Sequence, residues 1–154
     1  MIINFKWIFK KPNRALAFGL GSGLFIAPGT TATLFSWLIW YLLSDFLSSS
    51  FIITIIIVGF FYGCYICDQL NNELKLSDHP SIVIDEIISF WLVLLLVKDI
   101  FYIKLISFLL FRIIDIIKPF PINIVDKFIK NGFGIMLDDL FAAIFTIFII
   151  NIIF

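Results

Sequence analysis

The acidic residues of this chain keep unusual company. "SIVIDE" ends on Asp85 and Glu86 directly before an apolar run, "FRIIDIIK" spaces Arg112, Asp115 and Lys118 three residues apart, and "GIMLDD" ends on Asp138 and Asp139. The three-residue spacing puts Arg112, Asp115 and Lys118 on one helical stripe, which Pro119 and Pro121 bring to an end. Helix capping accounts for one member of each acidic pair, with Asp78 or Ser81 a candidate N-cap before the third apolar run. Side chains of helical neighbours diverge by about 100°, so one of Asp85 and Glu86 is expected to bind while the other caps. Adjacent aspartates repel each other unless a cation stands near. Five carboxylates facing only Arg112 and Lys118 leave a negative excess, which Mg²⁺, a hard cation that takes oxygen ligands, would balance. A basic pair beside such an ion suits a phosphate substrate.

A second polar stretch, "GLGSGLFIAPGTTAT", places glycines and a proline between a basic N-terminus and the first long apolar run. Glycine lets backbone N–H groups approach an anion, and a helix starting near Thr30 or Thr31 would point its positive end at it. Gly21, Ser22 and Thr30 are therefore candidate phosphate contacts. The alternative, a tight turn whose glycines serve helix packing, stands on equal footing at this point. His79 reads as a loop residue, and Cys64 and Cys67, embedded among apolar residues, as small hydrophobes with inert thiols.

These residues need a scaffold, and the composition says what kind. Of 154 residues 62% are hydrophobic and 14% charged, with a mean hydropathy of +1.11, which puts the chain in or on a bilayer. Eleven basic residues balance eleven acidic ones, and no basic block suggests nucleic acid. The length allows one domain, residues 1–154, of which 1–16 form an amphipathic or loose basic lead. Five apolar segments follow, at about 31–43, 51–67, 87–97, 100–117 and 140–154. Lipid permits only helices or closed barrels, and the alternation of a barrel is absent. The expected fold is thus an all-α, membrane-associated bundle of about five apolar helices. The second, fourth and fifth are long enough to span, and the third is short. If each segment crosses and the basic lead stays cytoplasmic, the lead and the polar connections after the second and fourth segments share one cytoplasmic face.

"FGLGSGLFIAPGT", "DHPSIVIDE", "FRIIDIIKPFPI" and "GFGIMLDD" occur in the order and spacing of the phosphatidylglycerophosphatase A family, which the chain resembles from Ala17 onward. The resemblance implies a Mg²⁺-dependent, multi-pass enzyme of the bacterial inner membrane that removes the phosphomonoester of phosphatidylglycerophosphate to give phosphatidylglycerol. Two positions depart from the pattern, Ala32 and Ser89, where glycine is expected. Covalent routes lack their residues: no cysteine is followed by an arginine with five residues between them, no Asp-x-Asp-x-Thr occurs, and there is a single histidine. The expected chemistry is attack by water activated at Mg²⁺ held by Asp85, Glu86, Asp138 and Asp139 in some combination. Arg112 and Lys118 would bind phosphate, and Asp115 would orient Arg112 or join the metal shell, making Asp85, Glu86, Asp115 and Asp139 the catalytic acids. The competing reading is a non-catalytic transporter or assembly subunit, which would need polar residues through the depth of the bundle.

Overall fold

The computed structural model describes residues 3–154; Met1 and Ile2, the first residues of the basic lead, lie outside the described residues. All regular structure among them is helical: α1 (Phe5–Ile8), α2 (Pro12–Ala17), a 3₁₀ segment (Gly19–Leu24), α3 (Pro28–Leu43), α4 (Ser49–Leu74), α5 (Ile84–Leu96), α6 (Phe101–Ile117), α7 (Ile122–Phe128) and α8 (Gly132–Ile153). The five apolar segments correspond to α3, α4, α5, α6 and α8. They run alternately away from and back toward one polar end, which collects the start of α3, the end of α4, the starts of α5 and α8, and the end of α6.

Helix α8 is the axis. It packs against α4, α5, α6 and α7, and it is apolar around its circumference, as a helix with neighbours on several sides must be. Gly132 and Gly63 set its distance from α4: a β-carbon on Gly132 would lie 2.0 Å from the Cys64 carbonyl oxygen, and one on Gly63 would meet the Met136 thioether. The Asp68 carboxylate accepts the Gly132 N–H at 2.6 Å, and Asn131 caps the helix by accepting from Gly134 N–H at 3.0 Å. Away from the polar end the core is aromatic, with Phe90 against Phe108 and Phe111 and Trp40 edge-on to Trp91.

Several expectations change. The N-terminal lead is folded: Arg14 is buried, reaches Glu73 near the end of α4 and donates to the Trp7 carbonyl at 3.1 Å. Ile8, Ala17 and Phe18 are buried beneath it, so apolar side chains between its basic residues dock it on the bundle. Helix α3 starts at Pro28 with Ala27 as its left-handed N-cap, a little before Thr30; proline's fixed φ suits that first position. Neither Asp78 nor Ser81 caps α5, whose N-cap is Val83. Helix α8 begins eight residues before the apolar run at 140, so Asp138 and Asp139 stand in its second turn and not at its mouth. The sequence "GFGIML" had hidden that extension, because glycines usually end a helix, yet here they permit close packing.

Among the described residues, only α4 and α8 are long and apolar enough to cross a bilayer, at about 39 and 33 Å against roughly 30 Å of hydrocarbon. Helix α6, read as a third span, stops at 17 residues and carries Lys104, Arg112 and Asp115. Long apolar side chains cover the outside of α4 and α6: Ile53, Ile57, Phe61, Leu105, Leu109 and Ile113 are all exposed. Exposed apolar surface on this scale marks contact with lipid or protein.

The Gly132 contact is with backbone, which cannot swing aside. Gly132→Ala is expected to destabilise the protein by about 1–3 kcal/mol, read as a lower midpoint of thermal unfolding in detergent. Gly59→Ala, whose β-carbon meets the flexible tip of Ile88, should cost clearly less; equal midpoints for the two would contradict the packing described.

Candidate metal and phosphate site

At the polar end the candidate acids and Arg112 converge from three helices. Asp85 and Glu86 occupy the first turn of α5, Asp115 and Arg112 the last turns of α6, and Asp138 and Asp139 the second turn of α8. Asp85, Asp115, Asp138 and Asp139 are all buried, and Glu86 and Arg112 each retain 12% of their side-chain exposure. One carboxylate oxygen each from Asp85, Glu86 and Asp139 lies within 4.8 Å of the other two. Asp85 and Glu86 therefore both face the site, and neither caps. Angular divergence prevents neighbours from lying parallel; it does not prevent a short aspartate and a longer glutamate from meeting at a point beside the helix.

The two aspartates of α8 divide the work. Asp139 joins the triad. Asp138 faces Lys118, whose ammonium it meets at 2.5 Å, and its other oxygen accepts the Asp139 N–H at 3.0 Å. Lys118 is also bonded to Asp126 of α7 at 2.7 Å. This geometry depends on Lys118 itself, the left-handed C-cap of α6 with φ 46°, a conformation costing about 1–2 kcal/mol for a residue with a β-carbon. Burial alone would lower the pKa of its ammonium, but the hydrogen bonds to Asp126 and Asp138 outweigh burial and hold it above the ordinary lysine range. The bond from Lys118 in turn holds the Asp126 carboxyl below the ordinary carboxylate range.

Arg112 completes the site. Its Nη1 lies 2.7 Å from Asp115 and 3.7 Å from Glu86, and its Nε has no hydrogen-bond partner. Asp115 thus orients Arg112 while standing beside Asp139. Gly29, in the first turn of α3, closes the other side: a β-carbon there would lie 2.2 Å from Glu86 Oε1 and 2.5 Å from an Arg112 Nη. Among the glycine-rich residues it is Gly29 that touches the acids. Thr30 follows it, whereas Gly21 faces the Phe5 ring and Ser22 is buried with an unpartnered hydroxyl near Gly19.

The donor set fits a divalent ion. Asp85 Oδ1, Glu86 Oε2 and Asp139 Oδ2 are buried and lack partners, a costly state for polar atoms sealed from water. Three carboxylate oxygens within 4.8 Å of one another would hold a hard divalent cation such as Mg²⁺, which takes oxygen ligands.

Other polar residues are accounted for locally. His79 Nδ1 accepts the Ser81 N–H at 3.2 Å, and Cys64 and Cys67 are free thiols on α4. Deeper in the bundle, Thr33, Ser107 and Thr146 donate to their own helices, to the carbonyls of Gly29, Ile103 and Ala142. Asp126 and Gly29 are the site residues that sequence reasoning passed over. Asp126 sits eight residues from its partner across a turn that spacing alone does not define, while the Pro-Gly at a helix start was a signal that could have exposed Gly29.

The sequence model of the family described as phosphatidylglycerophosphatase A matches residues 15–154, which contain every residue of the site. The chain belongs to the phosphatidylglycerophosphatase A family. It is similar, at 37% identity over 90% of its length and 86% of the relative's, to the phosphatidylglycerophosphatase A of Haemophilus influenzae. The enzyme of that name from Escherichia coli is 37% identical, over 88% of this chain and 79% of the relative. A Bacteroides thetaiotaomicron protein provisionally named a phosphatidylinositol-3-phosphatase is 34% identical, over 87% and 88% of the two chains. No solved structure matches the chain.

The Asp126 ion pair carries a pH signature. A carboxyl whose pKa is lower folded than unfolded contributes stability that is complete above the unfolded value, about 3.9, and is lost as pH falls through the folded value. The gap in unfolding midpoint between the wild type and Asp126→Asn is therefore expected to hold from pH 7 to 5 and to shrink below about pH 4. A gap that widens on acidification would refute the pairing.

Proposed function

We propose that this protein is a Mg²⁺-dependent lipid phosphatase that hydrolyses phosphatidylglycerophosphate to phosphatidylglycerol and inorganic phosphate in phospholipid synthesis, at the cytoplasmic face of a bacterial inner membrane. The observation that carries the reading is the pairing of an oxygen triad with two oriented cations at one end of an apolar bundle. Asp85, Glu86 and Asp139 are the metal ligands, and Asp138 is kept from that role by Lys118. Mg²⁺ held there supplies positive charge against the phosphoryl oxygens and Lewis acidity at the reacting centre. Family membership and the relatives' names support the substrate class.

The residues of the chain do the positioning. Arg112, held by the charge of Asp115, offers the unpartnered in-plane N–H of its Nε to the phosphate, and Lys118 offers an ammonium between Asp126 and Asp138. Gly29 lets the Glu86 carboxylate and the Arg112 guanidinium close against the start of α3, where Thr30 follows it; Gly21 and Ser22, beside Phe5 and Gly19, take no part in this contact. Water attacks phosphorus in line; its oxygen forms the new P–O bond while the bond to the glycerol oxygen breaks. One water proton passes to a triad carboxylate and from there to the departing glycerol oxygen, which leaves as the alcohol. The rim of charge and the apolar depth of the bundle favour this over a transport path, because the buried hydroxyls of Thr33, Ser107 and Thr146 are already bonded to their own helices.

Phosphate release from phosphatidylglycerophosphate in detergent micelles is expected only with Mg²⁺ and is expected to stop with EDTA. Asp139→Asn and Arg112→Ala should each lower kcat by about 100-fold or more, the size of effect that follows loss of one transition-state electrostatic contact. Wild-type turnover by Asp139→Asn at saturating Mg²⁺ would rule out the assignment.

A further inference from the structure

A cleft of about 350 Å³ runs between α4, α5 and α8, lined by Ile56, Phe60, Phe61, Ser89, Leu92 and Leu140 among others. Its volume is that of a small-molecule pocket, and no charged side chain lines it. What distinguishes it from the rest of the apolar exterior is where it starts. Ser89 lies one helical turn beyond Asp85 on α5, and Leu140 directly follows Asp139 on α8, so two ligands of the triad adjoin two residues of the cleft wall. Ser89 is also 1% exposed with a hydroxyl that has no partner. The other buried hydroxyls of the bundle's depth return to their own helix backbones. A serine left unbonded at the junction of an acid cluster and an apolar cleft lacks an acceptor.

We propose that this cleft is the seat of one acyl chain of the lipid substrate, whose glycerol end leaves the cleft past Ser89 and Leu140 toward the triad. The proposal rests on the lipid phosphatase reading above and adds to it where the substrate's apolar part lies. The occupant is an acyl chain and not a peptide helix, because the wall presents neither charge nor exposed polar atoms and the Ser89 and Leu140 end adjoins the triad residues in sequence. The cleft opens beside Phe61 and Ile57, which are exposed on the outer face of α4, so a chain can enter sideways from the bilayer while its phosphate stays at the polar rim.

Two measurements test this. In the first, Leu92→Trp fills the cleft and Leu38→Trp, on the outer face of α3, serves as a control. Both are assayed with Mg²⁺ on phosphatidylglycerophosphate carrying either two eighteen-carbon or two four-carbon chains. Leu92→Trp should raise KM for the long-chain substrate about tenfold with the short-chain KM unchanged. Equal effects of Leu92→Trp on both substrates, or an effect no larger than that of Leu38→Trp, would overturn the proposal. The second measurement does not require turnover. Phosphatidic acid bearing a diazirine at mid-chain is photolysed with the protein, and labelled peptides are mapped. Labels concentrated on Phe60, Phe61 and Leu92, and lost when diacylglycerol with the same diazirine replaces the phosphate lipid, support the cleft even if no hydrolysis is seen. Labels spread evenly over the exposed apolar belt would show ordinary annular lipid and refute it.

Discussion

Like charges buried together set the terms for this structure. Asp85, Glu86, Asp115, Asp138 and Asp139 are drawn from three helices into one small volume, where charge is expensive and repulsion is poorly screened. Arg112 and Lys118 balance part of it. The uncompensated remainder falls on the three oxygens that lack partners, so the protein alone is electrostatically incomplete there. The packing around the site holds the acids together despite their repulsion: Gly29 against Glu86 and Arg112, Gly132 against the α4 backbone, and Asn131 fastening the start of α8. The apolar bulk of the chain is what makes this tolerable, since α8 is gripped along its length and cannot relieve the repulsion by rotating away.

The bundle also separates two solvents. Charged and hydrogen-bonded side chains gather at one end, while the outer faces of α4 and α6 are clad in isoleucine, leucine and phenylalanine. A lipid phosphate and its hydrocarbon need opposite environments within a few ångströms, and a helix end buried in apolar neighbours provides both. The folded N-terminal helices strengthen that polar end, because Arg14 ties them to Glu73 and Asn13 to Gln69.

Much of this was legible from residue order alone. The five apolar runs became α3, α4, α5, α6 and α8, and the acidic pairs and the Arg112–Asp115 spacing pointed to residues that the fold brings together at one end of the bundle. What escaped were features decided by packing across the chain. The start of α8 was obscured by Gly132 and Gly134, whose helix-breaking tendency is overridden by contact with α4. The convergence of Asp85 and Glu86 depends on where α3 and α8 stand, which no local spacing encodes. Asp126 was hidden in a seven-residue helix whose place is fixed by the left-handed turn at Lys118. Ion pairs made across a turn leave no periodic trace.

The adjacency of Asp138 and Asp139 has a mechanical corollary. Because they are successive residues on one rigid rod, any twist of α8 swings both carboxylates through the same angle, loosening the grip on Lys118 in step with the reshaping of the triad. The acidic triad and the Lys118 contact are thus geared to a common shaft, and a sequence change that adjusted one without disturbing the other would have to act through α5, α6 or α7.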